Sequence, residues 1–382
     1  MPSPTETRQT RIQTVAAQVA EVFARQAAEA ERLGDVPAEA ALALKQSGYP
    51  ALTVPQSLGG FGASLSEFAR AQEVLGRADA SLALVAAMNA HLLGGLAESG
   101  GFSPEAYALL ARASVTRGAL SNSLASEPEL GSPSRGGLPA TRAVRVPGGW
   151  SVTGRKTWST GARVLDYYVV TAATPEDEVW RFIVAADSPG VGVEGTWAGA
   201  LALRGSGSND VVLHEVFVPD EWAVPPAPGS PTGGAWFWVA VAATYLGVGA
   251  GALDSLVAYA RERVPTALGK PIATLPKIQA AVGEIALTLA QARALLHEVT
   301  RAWDQPERRV NLMPMLAGAK LACTNAAISA TDQALRAAGG AALGNTLDLE
   351  RRFRDARAGL MHPPADDMAL LMIGKGLLGD ME

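Results

Sequence analysis

Four side chains of this sequence can exchange a proton near neutral pH: His91, His214, His297 and His362. His362 follows Met361 and precedes Pro363 and Pro364, whose fixed φ angles restrict the loop. An imidazole held there can donate to a reacting group or accept from it, so His362 is a candidate acid or base. His91 lies on an apolar helical stretch and is a second candidate; the alternative is a satisfied helix histidine. His214, in a strand ending Val218-Pro219, and His297, within a regular helix, read as structural. No two histidines have metal-ligand spacing and Cys323 is the single cysteine, so neither a metal site nor an intrachain disulfide is expected. Arg263 and Arg336 carry guanidinium forks that match phosphate oxygens, with plain surface charge as the alternative. Trp236, Phe237 and Trp238 begin a helix and either wall an aromatic pocket or pack in a core. Arg354-Asp355 reads as a solvated helix-end pair more than as a functional one.

The elements that position these groups come from a chain of 382 residues, long enough for two or three domains. Hydrophobic residues at 48% against 18% charged residues argue against disorder. A net charge of −5 gives no general pull on nucleic acid or anionic membrane, so a bound anion must be held by local groups. Residues Met1 to Arg11 are polar, with no apolar stretch of a secretory signal, and the expected location is cytoplasmic. Ala235 to Leu253 is uncharged and near membrane-spanning length, but it is rich in Ala and Gly and lacks a flanking basic cluster. It reads as a helix buried in a bundle, with Gly247, Gly249 and Gly251 admitting another helix closely.

Three styles of sequence follow one another. Residues 1–118 are helical in pattern, with a loop at Leu58-Gly59-Gly60-Phe61-Gly62. Residues 119–222 change to short β-branched and aromatic runs: Thr141–Val146, Trp150–Thr157, Tyr167–Ala172, Trp180–Ala185 and Val211–Val218. Pro147-Gly148-Gly149 joins the first two as a hairpin, and the whole reads as an antiparallel β domain. A proline-rich linker occupies 223–234. Residues 235–382 return to long helices, at about 235–262, 276–303, 313–337 and 365–379, lengths that suit a four-helix bundle. The fold expected is α+β multidomain: N-terminal helical domain, central antiparallel β domain, C-terminal four-helix bundle.

Several stretches carry a family signature in this order. Val54-Pro55…Gly59-Gly60-Phe61-Gly62 and Glu73-Val74-Leu75-Gly76-Arg77-Ala78-Asp79-Ala80-Ser81 lie in the helical part. Glu127-Pro128-Glu129-Leu130-Gly131-Ser132 and Gly154-Arg155-Lys156-Thr157-Trp158-Ser159-Thr160-Gly161-Ala162 lie in the β part. Together they resemble the acyl-CoA dehydrogenase superfamily over nearly the whole chain. The resemblance implies the acyl-CoA dehydrogenase fold and a flavin, which supplies the redox chemistry while protein groups position it. It implies flavin contacts from Ser126, Ser132 and Thr160, with Trp158 packed on the ring. By themselves, Trp158 could equally be a core aromatic and the hydroxyls ordinary turn or strand groups.

Three departures from the dehydrogenases stand out. The carboxylate base that many members place after the R-D-A motif is replaced by Pro363. Ala235 and Trp238 occupy the places of a charged clamp for the acyl-CoA, so Trp236 and Trp238 are expected to wall an apolar substrate pocket. The segment after Arg263 is longer than the family's, and the motif that grips the ADP half of FAD reads Arg336-Ala337-Ala338-Gly339-Gly340. Arg263, Arg336, Gly339 and Gly340 are the expected contacts there, and the flavin is FAD or FMN.

The stretch from Leu335 to Gly379 resembles the second type of C-terminal domain in this superfamily, found in two-component flavin monooxygenases. That resemblance implies a flavin supplied reduced by a separate reductase, a small-molecule substrate oxygenated with O2, a homotetramer, and no nucleic-acid or membrane partner. It gives His362 and His91 places near the flavin and in the pocket. The rival expectations are an FAD-dependent acyl-CoA dehydrogenase with a relocated base, and a catalytically idle binding protein.

Overall fold

The computed structural model describes residues 4–130, 137–227 and 229–379. The helical start comprises α1 (Pro4–Leu33), α2 (Ala38–Gln46), α3 (Leu65–Ala78), α4 (Ala80–Ser99) and α5 (Pro104–Arg117). The boundaries of α5 follow from its ends. The Ser103 hydroxyl accepts from the Ala106 N–H at 3.1 Å, Pro104 occupies the first turn where its missing donor costs little, and Gly118 closes the helix at φ 65°.

Eight strands make one sheet: β1 (Ser121–Leu124), β2 (Arg142–Val146), β3 (Gly149–Ser159), β4 (Tyr167–Ala173), β5 (Val179–Ala185), β6 (Val191–Glu194), β7 (Asn209–Pro219) and β8 (Ala223–Val224). The order is β6-β7-β3-β2-β4-β5-β8, with β1 beside β4. The expected hairpin is present, Val146 facing Gly149. The sheet is mixed where pure antiparallel pairing was expected: β1 runs parallel to β4, and Arg142 of β2 pairs in parallel with Ala173. The reason is connectivity. The β2–β3 hairpin lies between β1 and β4 in sequence, a connection long enough to bring the chain back in the same direction.

The C-terminal helices are α6 (Ala235–Glu262), α7 (Pro276–Trp303), α8 (Arg309–Ala338), α9 (Leu349–Ala358) and α10 (Asp366–Leu378). The short, charged α9 is the element that the apolar periodicity does not announce.

Contacts divide the chain into two compact units that are discontinuous in sequence. The first holds residues 1–64, 84–200 and 204–237. Its core joins Leu92, Leu93 and Leu96 of α4 and Leu110 of α5 to Val169 and Ile183 of the sheet. N-terminal helices and strands therefore share one apolar interior rather than two. The second unit holds residues 65–83, 201–203 and 238–382. Within it α3 crosses α6 on glycine: a Cβ on Gly76 would lie 2.2 Å from the Thr244 carbonyl oxygen, and one on Gly247 would lie 2.3 Å from that of Glu73. The glycines of α6 thus admit another helix, as their sequence suggests. The Gln72 amide donates to Thr244 Oγ1 at 2.9 Å in the same crossing. Both α4 and α6 are apolar and long enough to cross a membrane, yet 83% of each apolar window is buried, the pattern of core helices.

Candidate functional site

The end of β3 is irregular backbone. Its pairing with β7 shifts register between Lys156 and Ser159, a bulge that turns one side chain out of the ladder. That side chain is Trp158, at φ 55° and 60% exposed. A tryptophan in the left-handed region that buries little is unexplained by packing, and strain of this kind gathers at sites that hold something. Ser126 is joined to the same strand end, its carbonyl accepting the Thr157 N–H at 3.0 Å. Thr160 follows, buried, its hydroxyl 3.0 Å from that of Ser208, which lies 2.7 Å from that of Ser206. Sequence reasoning missed Ser206 and Ser208, because only the pairing of 161–162 with the 206–207 backbone brings them there. Ser126, Trp158 and Thr160 are thus gathered at one strand end. An exposed indole face beside hydroxyls suits a planar aromatic group with a polar edge, so this donor set fits a flavin. Ser132 lies outside the described residues.

Beneath this end is a buried ion pair. Lys156 Nζ donates to Glu127 Oε1 at 2.5 Å, and Glu127 also accepts from the Thr141 hydroxyl at 2.6 Å and from the Ala140 N–H. Burial by itself would raise the Glu127 carboxyl, but Lys156 and Thr141 outweigh it and hold it below the ordinary value. The pair ties the Glu127 end of the loop to β3.

His91 is half-buried in α4, its ring edge-on to Phe237 at 5.1 Å between centroids. Burial pushes its pKa down to about 4, so it is neutral at pH 7. Trp236 is 8% exposed and wedged against α4, where a Cβ on Gly94 would lie 2.4 Å from its ring. Its indole N–H donates to Glu98 at 3.2 Å. Trp236 is therefore a packed anchor, and Phe237 is the aromatic next to His91. Trp238 is half-buried and belongs to the second unit.

In the second unit His362 meets Tyr245, a buried residue of α6, with its hydroxyl 3.3 Å from Nδ1. Burial lowers the His362 pKa to about 4; the Lys320 ammonium pushes the same way, and a hydrogen bond to the Ala358 backbone opposes both. Burial, with the Asp355 carboxylate, drives the Tyr245 hydroxyl well above its ordinary value. Arg354-Asp355 is no solvated pair. Asp355 is buried and accepts the Leu203 N–H at 2.7 Å, while Arg354 donates to the Leu201 carbonyl at 3.0 Å. Leu203 has φ 55°, so the motif clamps a strained loop. Tyr245 and Lys320 were not visible as site residues, because nothing local in the sequence sets them apart from the other polar positions of α6 and α8.

A separate cleft of about 570 Å³ lies in this unit, lined by Tyr259, Arg263, Lys277, Arg336, Gly339 and Gly340. The four expected contacts for the ADP half of a flavin are brought together here. A Cβ at Gly339 or Gly340 would meet nothing within 4 Å, so the backbone is bare toward open space. Arg336 already holds Asp332 at 2.7 Å on the helix surface.

Comparison with known proteins gives one consistent answer. Family models described as acyl-CoA dehydrogenase N-terminal, middle and C-terminal domains match residues 5–101, 123–216 and 239–366. The Bacillus subtilis (strain 168) protein YdbM, whose name assigns it provisionally to the acyl-CoA dehydrogenases, is 39% identical over 92% of each chain. The dibenzothiophene monooxygenase TdsC of Paenibacillus sp. A11-2 superposes with TM-score 0.82 at 26% identity, covering 96% of this chain and 97% of its own. TdsC has also been solved with FMN and indole. Butyryl-CoA dehydrogenase of Megasphaera elsdenii shares the fold, with TM-score 0.84 at 21% identity over 99% of this chain and 100% of its own.

Proposed function

The chain belongs to the acyl-CoA dehydrogenase family, and from that premise we propose that it is a flavin-dependent oxidoreductase acting as a monooxygenase on a small organic molecule. One observation carries the reading: Pro363 stands where the dehydrogenases carry their carboxylate base, and the first turn of α6 has no acidic residue to replace it. Without a base to take the α-proton, acyl-CoA oxidation lacks half of its chemistry. TdsC, similar over nearly the whole chain, supports the oxygenase alternative.

A bound flavin supplies the electron chemistry. Trp158 offers it a flat face, and Ser126 and Thr160 offer hydroxyls for its polar edge. Arg263, Arg336 and the bare backbone at Gly339-Gly340 are the groups for a diphosphate, which favours FAD if that cleft is used and FMN if it is not. His362, neutral at pH 7 and 3.3 Å from the Tyr245 hydroxyl, can take a proton at one ring nitrogen while releasing one from the other, a relay that adds no net charge. His91 and Phe237 present an aromatic edge for a small apolar substrate. Partners under this reading are O2, a separate reductase and three further copies of the chain, in the cytoplasm. Met368, Leu370, Leu371, Leu377 and Leu378 on α10 are exposed, which supports burial of that helix between subunits. Sedimentation as a monomer at micromolar protein would remove the tetramer from the reading.

A specific observation keeps the rival in view: YdbM, at 39% identity, bears a dehydrogenase name. Rapid mixing separates the two. Flavin-loaded protein, once reduced, is expected to consume O2 and oxygenate small aromatic or sulfur compounds, and acyl-CoAs of any length should leave the oxidised flavin unbleached. Prompt bleaching by an acyl-CoA would establish the dehydrogenase instead. Failure of FAD and FMN to bind more tightly than about millimolar, roughly 4 kcal/mol, would remove both.

A further inference from the structure

Three hydroxyls in the first unit bond to one another and to no other group among the described residues. Thr160 Oγ1 is 3.0 Å from Ser208 Oγ, which is 2.7 Å from Ser206 Oγ. No described backbone group depends on these side chains, so Val, Ala and Ala in their places would leave the hydrogen bonds of the fold complete. The segment that brings the serines here is nevertheless tightly held. The Gly161 N–H donates to the Ser206 carbonyl at 2.9 Å, and the Ala162 N–H to that of Gly207 at 3.3 Å. Gly207 has φ 52°, and a Cβ there would lie 2.1 Å from Asp35 Oδ1. Asp35 is not free to give way, because it accepts the Val36 N–H at 2.8 Å and pairs with Arg163 at 3.1 Å. Glycine alone fits between the two serines, and they are fixed beside Thr160.

Counting protons gives the three hydroxyls a direction. They carry three protons, and their two links use two of them. An oxygen–oxygen distance does not say which atom donates, so the surroundings decide. At the inner end Ser206 is 0% exposed, and Ser208 is the one partner of its hydroxyl among the described residues. A proton left over there would be a buried donor without an acceptor, which folded proteins avoid. At the outer end Thr160 keeps 7% exposure, at the strand end that carries the exposed Trp158 indole. The surplus proton therefore belongs to Thr160. Ser206 donates to Ser208, Ser208 donates to Thr160, and Thr160 donates outward. Each link polarises the next, so the outermost hydroxyl is a better donor than an isolated one.

We propose that Ser206 and Ser208 are positioning residues that lock the Thr160 hydroxyl as a donor toward the site, which therefore takes a ligand presenting a hydrogen-bond acceptor at that point. The proposal rests on the proposed function for the identity of the ligand. An oxidised flavin meets the demand with its carbonyl oxygens and its hydrogen-free ring nitrogens, and its ring N–H is excluded from this position. The polarity itself belongs to the chain and is tested without flavin.

Neutron diffraction from crystals of the unliganded protein grown in D2O reads the hydroxyl directions. Deuterium on Ser206 Oγ should point to Ser208, that on Ser208 Oγ to Thr160, and that on Thr160 Oγ1 away from Ser208. Deuterium bonded to Thr160 Oγ1 and lying on the line to Ser208 would overturn the proposal. Titration of the full chain with oxidised FMN and oxidised FAD reads the consequence. Thr160→Val should weaken binding about tenfold, the ordinary effect of one lost hydrogen bond. Ser208→Ala should weaken it about threefold, through the lost polarisation. The double variant should bind no worse than Thr160→Val, because Ser208 acts through Thr160. A serine that merely supports the fold would add its own loss, so additive losses in the double variant would overturn the proposal. If the variants do not fold, the neutron map of the parent decides. If the parent binds neither flavin, the functional reading falls, and the same map still carries or overturns the polarity.

Discussion

Among the described residues two lysines are 0% exposed, and they are buried in opposite ways. Lys156 in the sheet meets Glu127 at 2.5 Å and Thr171 at 3.1 Å, in a pocket where Glu127 has further donors. Lys320 in the bundle meets no acceptor among the described residues. A buried charge with its counter-charge and hydrogen bonds completed is a structural fastener, and removing one partner leaves the other stranded. A buried charge without a partner contributes nothing to stability that an apolar side chain would not exceed. The first lysine is explained by the fold that contains it. The second has no such fastening partner among the described residues.

The contrast can be broken by substitution. Lys156→Met should lose about 3–5 kcal/mol, read from urea midpoints, because Glu127 is left buried without its ammonium. A loss under about 1 kcal/mol would mean that the pair is no fastener. Next in size, taken per residue, is an acid effect from the histidines. Burial lowers both His91 and His362 to about 4 from an ordinary 6.5. Below pH 6.5 the unfolded chain takes up protons that the folded chain refuses, so stability should fall between about pH 6.5 and pH 4 and be insensitive to these groups above. Each histidine contributes up to roughly 3 kcal/mol to this fall. Replacing both with Gln should flatten the slope; an equally steep fall in that variant would assign the acid lability to other groups.

A smaller effect sharpens the comparison. Combining Glu127→Gln with Lys156→Met should recover part of the single-variant loss, about 1–2 kcal/mol, since no bare charge remains. Strict additivity would show that the two side chains do not depend on each other. Smallest of all, Lys320→Met should change stability by about 1 kcal/mol or less, or raise it. A loss as large as that of Lys156→Met would erase the distinction between the two lysines and give Lys320 an ordinary structural role.

Local chemistry made much of the fold legible in one sequence. Long Ala/Leu periodicity marks α6, α7 and α8 closely, and the Pro147-Gly148-Gly149 turn marks the β2–β3 hairpin. The motif around Trp158 is likewise a property of residue type and order, which is why the family could be read directly. Tertiary structure decided what order along the chain does not encode. The parallel pairing of β1 with β4 depends on non-local hydrogen bonds. The grouping of α3 with the C-terminal helices depends on two glycines that meet a helix about 170 residues away, a separation set by residues 76 and 247. Asp355, read as a solvated charge, is buried against Leu203 because a loop distant in sequence folds over it. Tyr245 is one of several polar letters in α6, and no periodicity distinguishes a polar group that faces an imidazole from one that faces water. That distinction is a matter of distance and dielectric, and both exist only once the helices have packed.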